Sequence, residues 1–294
     1  MDMGKGVIYI ATSESYFQES IQSIRSLKKF NDVPVAVLTS GSICEKYANT
    51  NMGDGQPDKL IAISNCYDDL RDKIHNIGKT PWEKTLYLDT DTKILDDITP
   101  LFELLERVDI AAAHATGLYR VTIDGVPNSF PEFNTAVLAF NNNDSVSQLF
   151  ELWKECHSRQ MEQGRPNESV PVEAGVNLAD SSSFGNMHGQ PPFREALYDS
   201  DISYSVLPSE YNLQAGGRGY IYHKAKIAHG QYCEEIEKKA NSRNGRRTVL
   251  NRGHSVIWVG GTNSSLVNVI SYTLKLDKLA KKIGADKYLK QFVD

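Results

Sequence analysis

The feature that most constrains this chain is an alternation. Short apolar runs rich in β-branched residues are followed, one after another, by segments of helical periodicity. Residues 7–12, 33–39, 60–64, 85–89, 110–113 and 134–140 read as buried strands. Between them, residues 20–30 carry Ile21, Ile24 and Leu27 at helical spacing, residues 98–108 are entered through Asp96-Asp97, and residues 145–158 are amphipathic. Strands separated by helices predict an α/β fold with a doubly wound, mostly parallel sheet, whose ligands collect at the carboxyl ends of the strands. Beyond residue 160 the pattern loosens. Residues 164–171, 181–192 and 214–220 are rich in Gly, Pro, Ser and Asn, and long loops of this kind usually wall a binding site. Residues 266–292 return to a helical pattern studded with lysines.

At 294 residues the chain has room for one large α/β domain and a small appendage. Charge divides it unevenly. Residues 236–294 hold twelve Lys and Arg against four Asp and Glu, a balance of +8, which leaves −13 for residues 1–235. We therefore expect a main domain over 1–235 and a basic, helical extension over 236–294. A lysine-studded helix packed on the domain accounts for that extension, and peripheral contact with an anionic membrane is the sharper alternative. Nucleic acid is not expected as a partner, because the body is acidic and the tail lacks interleaved aromatics. The four cysteines (44, 66, 156 and 233) show neither a paired motif nor zinc spacing, which suits reduced thiols in a cytoplasmic protein. The opening MDMGKGVIYIATS reads as a first strand rather than a secretory signal, and no segment has the apolar length of a membrane span. Nothing in the residues decides between a monomer and a homodimer.

The most informative local pattern is Leu86-Tyr87-Leu88-Asp89-Thr90-Asp91. In extended chain, residues two apart share a face, so Asp89 and Asp91 point together and Thr90 points away. Two carboxylates about 5 Å apart repel by roughly 1–3 kcal/mol. A hard divalent cation, Mn²⁺ or Mg²⁺, removes that repulsion. A solvated pair of aspartates in a turn fits these residues as well.

The same stretch, with Trp82-Glu83-Lys84-Thr85 before it, resembles the D-x-D segment of nucleotide-sugar glycosyltransferases with the GT-A fold, and in particular the glycogenin-like transferases of glycosyltransferase family 8. Three further segments resemble that family in the same order. Ile8 to Thr12 with Tyr16 is similar to its first nucleotide-binding loop, Phe133-Asn134-Thr135-Ala136-Val137 to the segment whose Asn meets the donor sugar, and Ile227-Ala228-His229-Gly230 to the late strand that brings a third metal ligand. The resemblance implies a GT-A-like doubly wound sheet followed by the basic, largely helical tail, and a UDP-sugar as donor. It implies Asp89, Asp91 and His229 as ligands of Mn²⁺ or Mg²⁺, and Thr12, Tyr16, Thr90 and Asn186 around the nucleotide sugar. Lys73 lies at the family's distance before Asp89 and would meet the phosphates or sugar, while Asn134 and Gln190 would hold the sugar hydroxyls. The acceptor would be a glycan, a protein or a lipid-linked molecule, and transfer would retain the anomeric configuration.

The chain also departs from that pattern. Where the family carries an acidic D-x-x-D-Q loop, this sequence reads Asn186-Met187-His188-Gly189-Gln190, which keeps the Gln alone. The basic residue that usually follows the metal His is replaced by Gly230-Gln231-Tyr232-Cys233, with Lys238, Lys239 or Arg243 as substitutes. Taken alone, Tyr16 is a core aromatic, Lys73 a surface lysine and His229 a structural histidine. Two other readings use the same residues. In a haloacid-dehalogenase-type phosphatase Asp89 would be the nucleophile, and a later apolar strand should end in paired aspartates, for which Asp199 and Asp201 are the nearest match. A non-catalytic nucleotide-sugar-binding protein would need no acidic loop.

Overall fold

The computed structural model describes residues 4–115, 122–162, 189–214, 220–221, 224–230, 247–252 and 255–260. Asn186, the loop over 164–171 and the helical pattern over 266–292 lie outside the described residues.

The chain begins with β1 (Lys5–Ile10), α1 (Glu14–Leu27), β2 (Val35–Ser40), α2 (Gly41–Tyr47), β3 (Lys59–Ile63) and α3 (Arg71–Asn76). It continues through β4 (Lys84–Leu88), β5 (Thr92–Ile94), α4 (Pro100–Leu104), β6 (Ile110–His114), β7 (Phe133–Asn141) and α5 (Asp144–Glu162). After α6 (Gln190–Tyr198) come β8 (Tyr204–Leu207), β9 (Leu213–Gln214), β10 (Tyr220–Ile221), β11 (Ile227–His229), β12 (Arg247–Arg252) and β13 (Ser255–Gly260). A seven-stranded sheet in the order β3-β2-β1-β4-β7-β6-β8 forms the centre. All neighbours in it run parallel except β7, which is antiparallel to both β4 and β6. The doubly wound, mostly parallel sheet is therefore as expected.

Strands covered on both faces must be apolar throughout, and β7 is buried from Phe133 to Phe140. One face packs Val7, Val37, Leu86 and Val137 against Phe17, Ile24 and Leu27 of α1. The other packs Ile8, Leu38, Leu138 and Phe140 against Phe150 and Trp153 of α5 and Phe193 of α6. Each such large side chain fully removed from water contributes roughly 1.5–3 kcal/mol, so the two layers hold the sheet rigid beneath its loops.

Local chemistry corrects the expected boundaries. Helix α1 starts before residue 20, because the Ser13 side chain caps it by accepting the Tyr16 N–H. It stops at Leu27, whose carbonyl is taken by the Asn31 amide. The helix expected over 98–108 shrinks to the short α4 because the Asn141 side chain donates to the carbonyls of Leu105 and Val108 and ends the helical ladder there. Gln190, expected within a loop over 181–192, instead opens α6, with Pro191 and Pro192 in the first turn where a missing N–H costs nothing. Of the extension, β12 and β13 form an antiparallel hairpin whose β13 pairs with β10, across the boundary expected at residue 235.

Candidate active site

The carboxyl ends of β1 and β4 lie on the same edge of the sheet as the amino end of antiparallel β7. Asp89 follows β4 directly, and the chain then turns, the Asp89 carbonyl accepting from the Thr92 N–H at 3.2 Å and the Thr92 hydroxyl at 2.8 Å. Antiparallel pairing of β11 with β5 sets His229 opposite Thr92. Gly230 closes that junction. Its φ of 109° is a conformation side chains disfavour, and its N–H meets the Asp91 carbonyl at 3.1 Å.

Oxygens of Asp89 and Asp91 and a nitrogen of His229 consequently lie within 4.8 Å of one another. His229 Nε2 is 3.4 Å from Asp91 Oδ1, while its Nδ1 is buried with no hydrogen-bond partner among the described residues. Two carboxylates and an imidazole with an unsatisfied nitrogen suit Mn²⁺ or Mg²⁺. Burial, and then the nearby charge of Asp89, push the Asp91 carboxyl above its usual range against the pull of His229. For Asp89, burial also pushes upward, but Lys73, His229 and the Tyr87 hydroxyl outweigh it and hold the carboxyl below that range.

Lys73, far from being a surface lysine, is buried on α3. Its Nζ reaches both oxygens of Asp89, at 2.9 and 3.2 Å, and the Thr135 carbonyl at 3.3 Å. That carbonyl is available because the β6–β7 register shifts between Ala112 and Ala113, leaving residues 135–137 off the ladder with β6. Asn134, at the same irregularity, has its amide orientation set. Its Oδ1 accepts from the Ala136 N–H at 3.0 Å and from the Asn212 amide at 2.9 Å, which leaves its N–H₂ to donate elsewhere. Thr12, just past β1, gives its hydroxyl proton to Asp72 at 2.6 Å, and Tyr16 is exposed on the first turn of α1. No hydrogen bond among the described residues links Gln190 to this group.

Four neighbours escaped the reading of the sequence. Buried Asp72 takes the N–H groups of Tyr67 and Asp68 besides the Thr12 hydroxyl, thereby holding the loop after β3 against the end of β1. Asn212 and Glu19 carried no local signal. Tyr87 did carry one: it precedes Asp89 by two and shares its face, and its hydroxyl donates to Asp89 Oδ1.

No protein-family model matches this sequence, and no curated protein matches it. Solved structures do. The galactosyltransferase LgtC, crystallised with donor and acceptor sugar analogues, is similar with a TM-score of 0.51 at 13% identity, over 76% of this chain and 86% of that one. An active-site mutant of LgtC gives 0.50 at 13% identity, over 81% and 95%. The fold is GT-A-like. The glycosyltransferase GlyE of Streptococcus pneumoniae TIGR4 is similar at 21% identity with a TM-score of 0.49, over 72% of this chain, which spans 48% of that protein's length.

Within the GT-A-like fold the phosphatase alternative is not favoured. Both Asp89 oxygens are engaged by Lys73, and Asp199 and Asp201 follow a helix rather than ending a strand. No helix among the described residues is long and apolar enough to cross a membrane.

Proposed function

We propose that the chain is a metal-dependent glycosyltransferase that moves a sugar from a UDP-sugar to a hydroxyl-bearing acceptor. The convergence of Asp89, Asp91 and His229 at the carboxyl edge of a GT-A-like sheet carries this reading. Its catalytic unit spans residues 1–235. Thr12 and Tyr16 hold the base, Thr90 and Asn186 help seat the nucleotide sugar, and Asn134 and Gln190 bind sugar hydroxyls. Bound by the two aspartates and His229, Mn²⁺ or Mg²⁺ supplies Lewis-acid stabilisation of the departing diphosphate.

Lys73 sits where it can exchange Asp89 for a phosphate oxygen, adding a point charge as negative charge develops on the leaving group. Retention is what the resemblance to glycosyltransferase family 8 implies. Gln190 is an amide, too weak a nucleophile to form a glycosyl-enzyme. The acceptor oxygen therefore bonds to the anomeric carbon from the face that the phosphate leaves, and its proton passes to the departing phosphate oxygen.

Thermal shift with UDP and Mn²⁺, singly and together, tests the reading. Both together should raise Tm most, and Asp91→Ala should abolish the increment and the transfer while leaving the fold intact. Indifference of Tm to both, or hydrolysis of phosphomonoesters in place of UDP-sugars, refutes it. Binding without turnover leaves a binding protein. Proton NMR of the first product checks retention: inversion at the anomeric carbon would exclude the front-face route.

A further inference from the structure

Helix α1 meets the strand that follows the acid turn through a seam of polar contacts. Thr90 donates its hydroxyl to Glu19, Ser23 Oγ and Thr92 Oγ1 lie 2.9 Å apart, and Ser26 Oγ accepts the Ile94 N–H at 2.8 Å. The spacing has a physical origin. Positions 19, 23 and 26 fall on one face of a helix, where they meet the turn residue Thr90 and then, on β5, the Thr92 hydroxyl and the Ile94 N–H. The two inner rungs are serines, and Ser23 Oγ also lies 2.9 Å from the buried Tyr9 hydroxyl. The outermost rung, at the site, is a glutamate.

A serine-length side chain serves the inner rungs. At the outer rung a longer, charged one is used, and it stands half-buried near Asp89 and Asp91. A third carboxylate beside two others is unfavourable in isolation. It is tolerable where it fixes something a cation will use. Thr90 is that thing. Once its side chain is tied to α1, the turn over residues 89–92 is anchored to the helix, and with it the two carboxylates that this turn sets beside His229.

The geometry points to Glu19 as a positioning residue for the metal site, acting through Thr90 as a hydrogen-bond acceptor rather than as a ligand or a bulk charge. This rests on the proposed binding of the ion by Asp89, Asp91 and His229. Outer partners that orient metal ligands typically change affinity by about 10–100-fold when lost.

Titration of the full chain with Mn²⁺, followed by the electron paramagnetic resonance signal of the free ion, tests the assignment. Glu19→Ala and Thr90→Val should each weaken Mn²⁺ binding about tenfold, and the double variant should be no worse than either. Glu19→Gln keeps an acceptor for Thr90 and should stay within about twofold of wild type. Equal losses in Glu19→Gln and Glu19→Ala would overturn the proposal in favour of a charge or a direct ligand. Unchanged affinity in Glu19→Ala and Thr90→Val, beside a wild type that binds, would overturn it as well and leave the metal site standing. A wild type that binds no Mn²⁺ would instead remove the metal site itself, and the proposal with it.

Discussion

Lys73 and Asp89 form a buried ion pair, with the ammonium 2.9 and 3.2 Å from the two carboxylate oxygens and the side chains 6% and 22% exposed. The pair joins α3 to the end of β4 at the point where the donor's diphosphate is proposed to lie, so Asp89 has a charge partner before any ion arrives. Removing one partner of a buried pair leaves the other charge uncompensated, which costs about 3–5 kcal/mol.

Lys73→Met should therefore lower stability by about 3 kcal/mol in the absence of metal. Mn²⁺ should recover part of that loss, because it can take the ammonium's place beside Asp89. Urea denaturation with and without Mn²⁺ measures both quantities. A loss that Mn²⁺ leaves unchanged would show that the ion does not reach Asp89.

Metal binding should weaken as pH falls, starting above the range in which an ordinary aspartate protonates. Burial and the neighbouring Asp89 raise the Asp91 carboxyl, and only its charged form binds the ion. Affinity is then complete above the raised pKa and lost as pH drops through it. Mn²⁺ titrations from pH 8 down through the ordinary aspartate range provide the check. A loss with its midpoint at or below the ordinary aspartate value would contradict the raised Asp91 carboxyl.

Asp72→Ala should strip the Thr12 hydroxyl and the N–H groups of Tyr67 and Asp68 of their shared acceptor. The buried Thr12 hydroxyl, left unsatisfied, costs about 1–3 kcal/mol. Because these groups hold the loop after β3 against the end of β1, UDP affinity should fall together with Tm. Asp72→Asn, which keeps one acceptor oxygen, should lie between the variant and wild type in both measurements.

Gly6→Ala addresses the frame beneath the site. A methyl group at position 6 of β1 would overlap the ring of buried Trp82. Overpacking of this kind costs about 1–3 kcal/mol, so chemical denaturation should show a loss of that size. A neutral result would mean that Trp82 moves aside freely.

Cys156 is buried on α5, and burial, followed by the charge of Glu195, pushes its thiol up to about 11. At pH 8 the native chain should leave Cys156 unmodified by iodoacetamide, whereas the unfolded chain should alkylate there. Peptide mapping distinguishes the two. Rapid labelling of Cys156 in the folded chain would contradict its placement.

Periodicity along the chain was enough to determine six of the seven strands of the central sheet and that the sheet is mostly parallel, since alternation and burial are local properties; the edge strand β8, mostly exposed, carried no such signal. Periodicity also paired Asp89 with Asp91, though a turn over residues 89–92 rather than extended chain brings them together, and the rule of alternation reaches Tyr87 from Asp89. Boundaries set by distant side chains were not legible: α4 ends where Asn141 takes its last carbonyls. Resemblance suggested His229, but its seat opposite Thr92 follows from the pairing of β11 with β5, a contact between segments far apart in the chain. Lys73 on Asp89, Asp72 under Thr12, Asn212 on Asn134 and Glu19 on Thr90 belong to the same class. A titratable side chain chooses its partner by proximity in space, and only the packing of α1 and α3 against the sheet decides which charges meet.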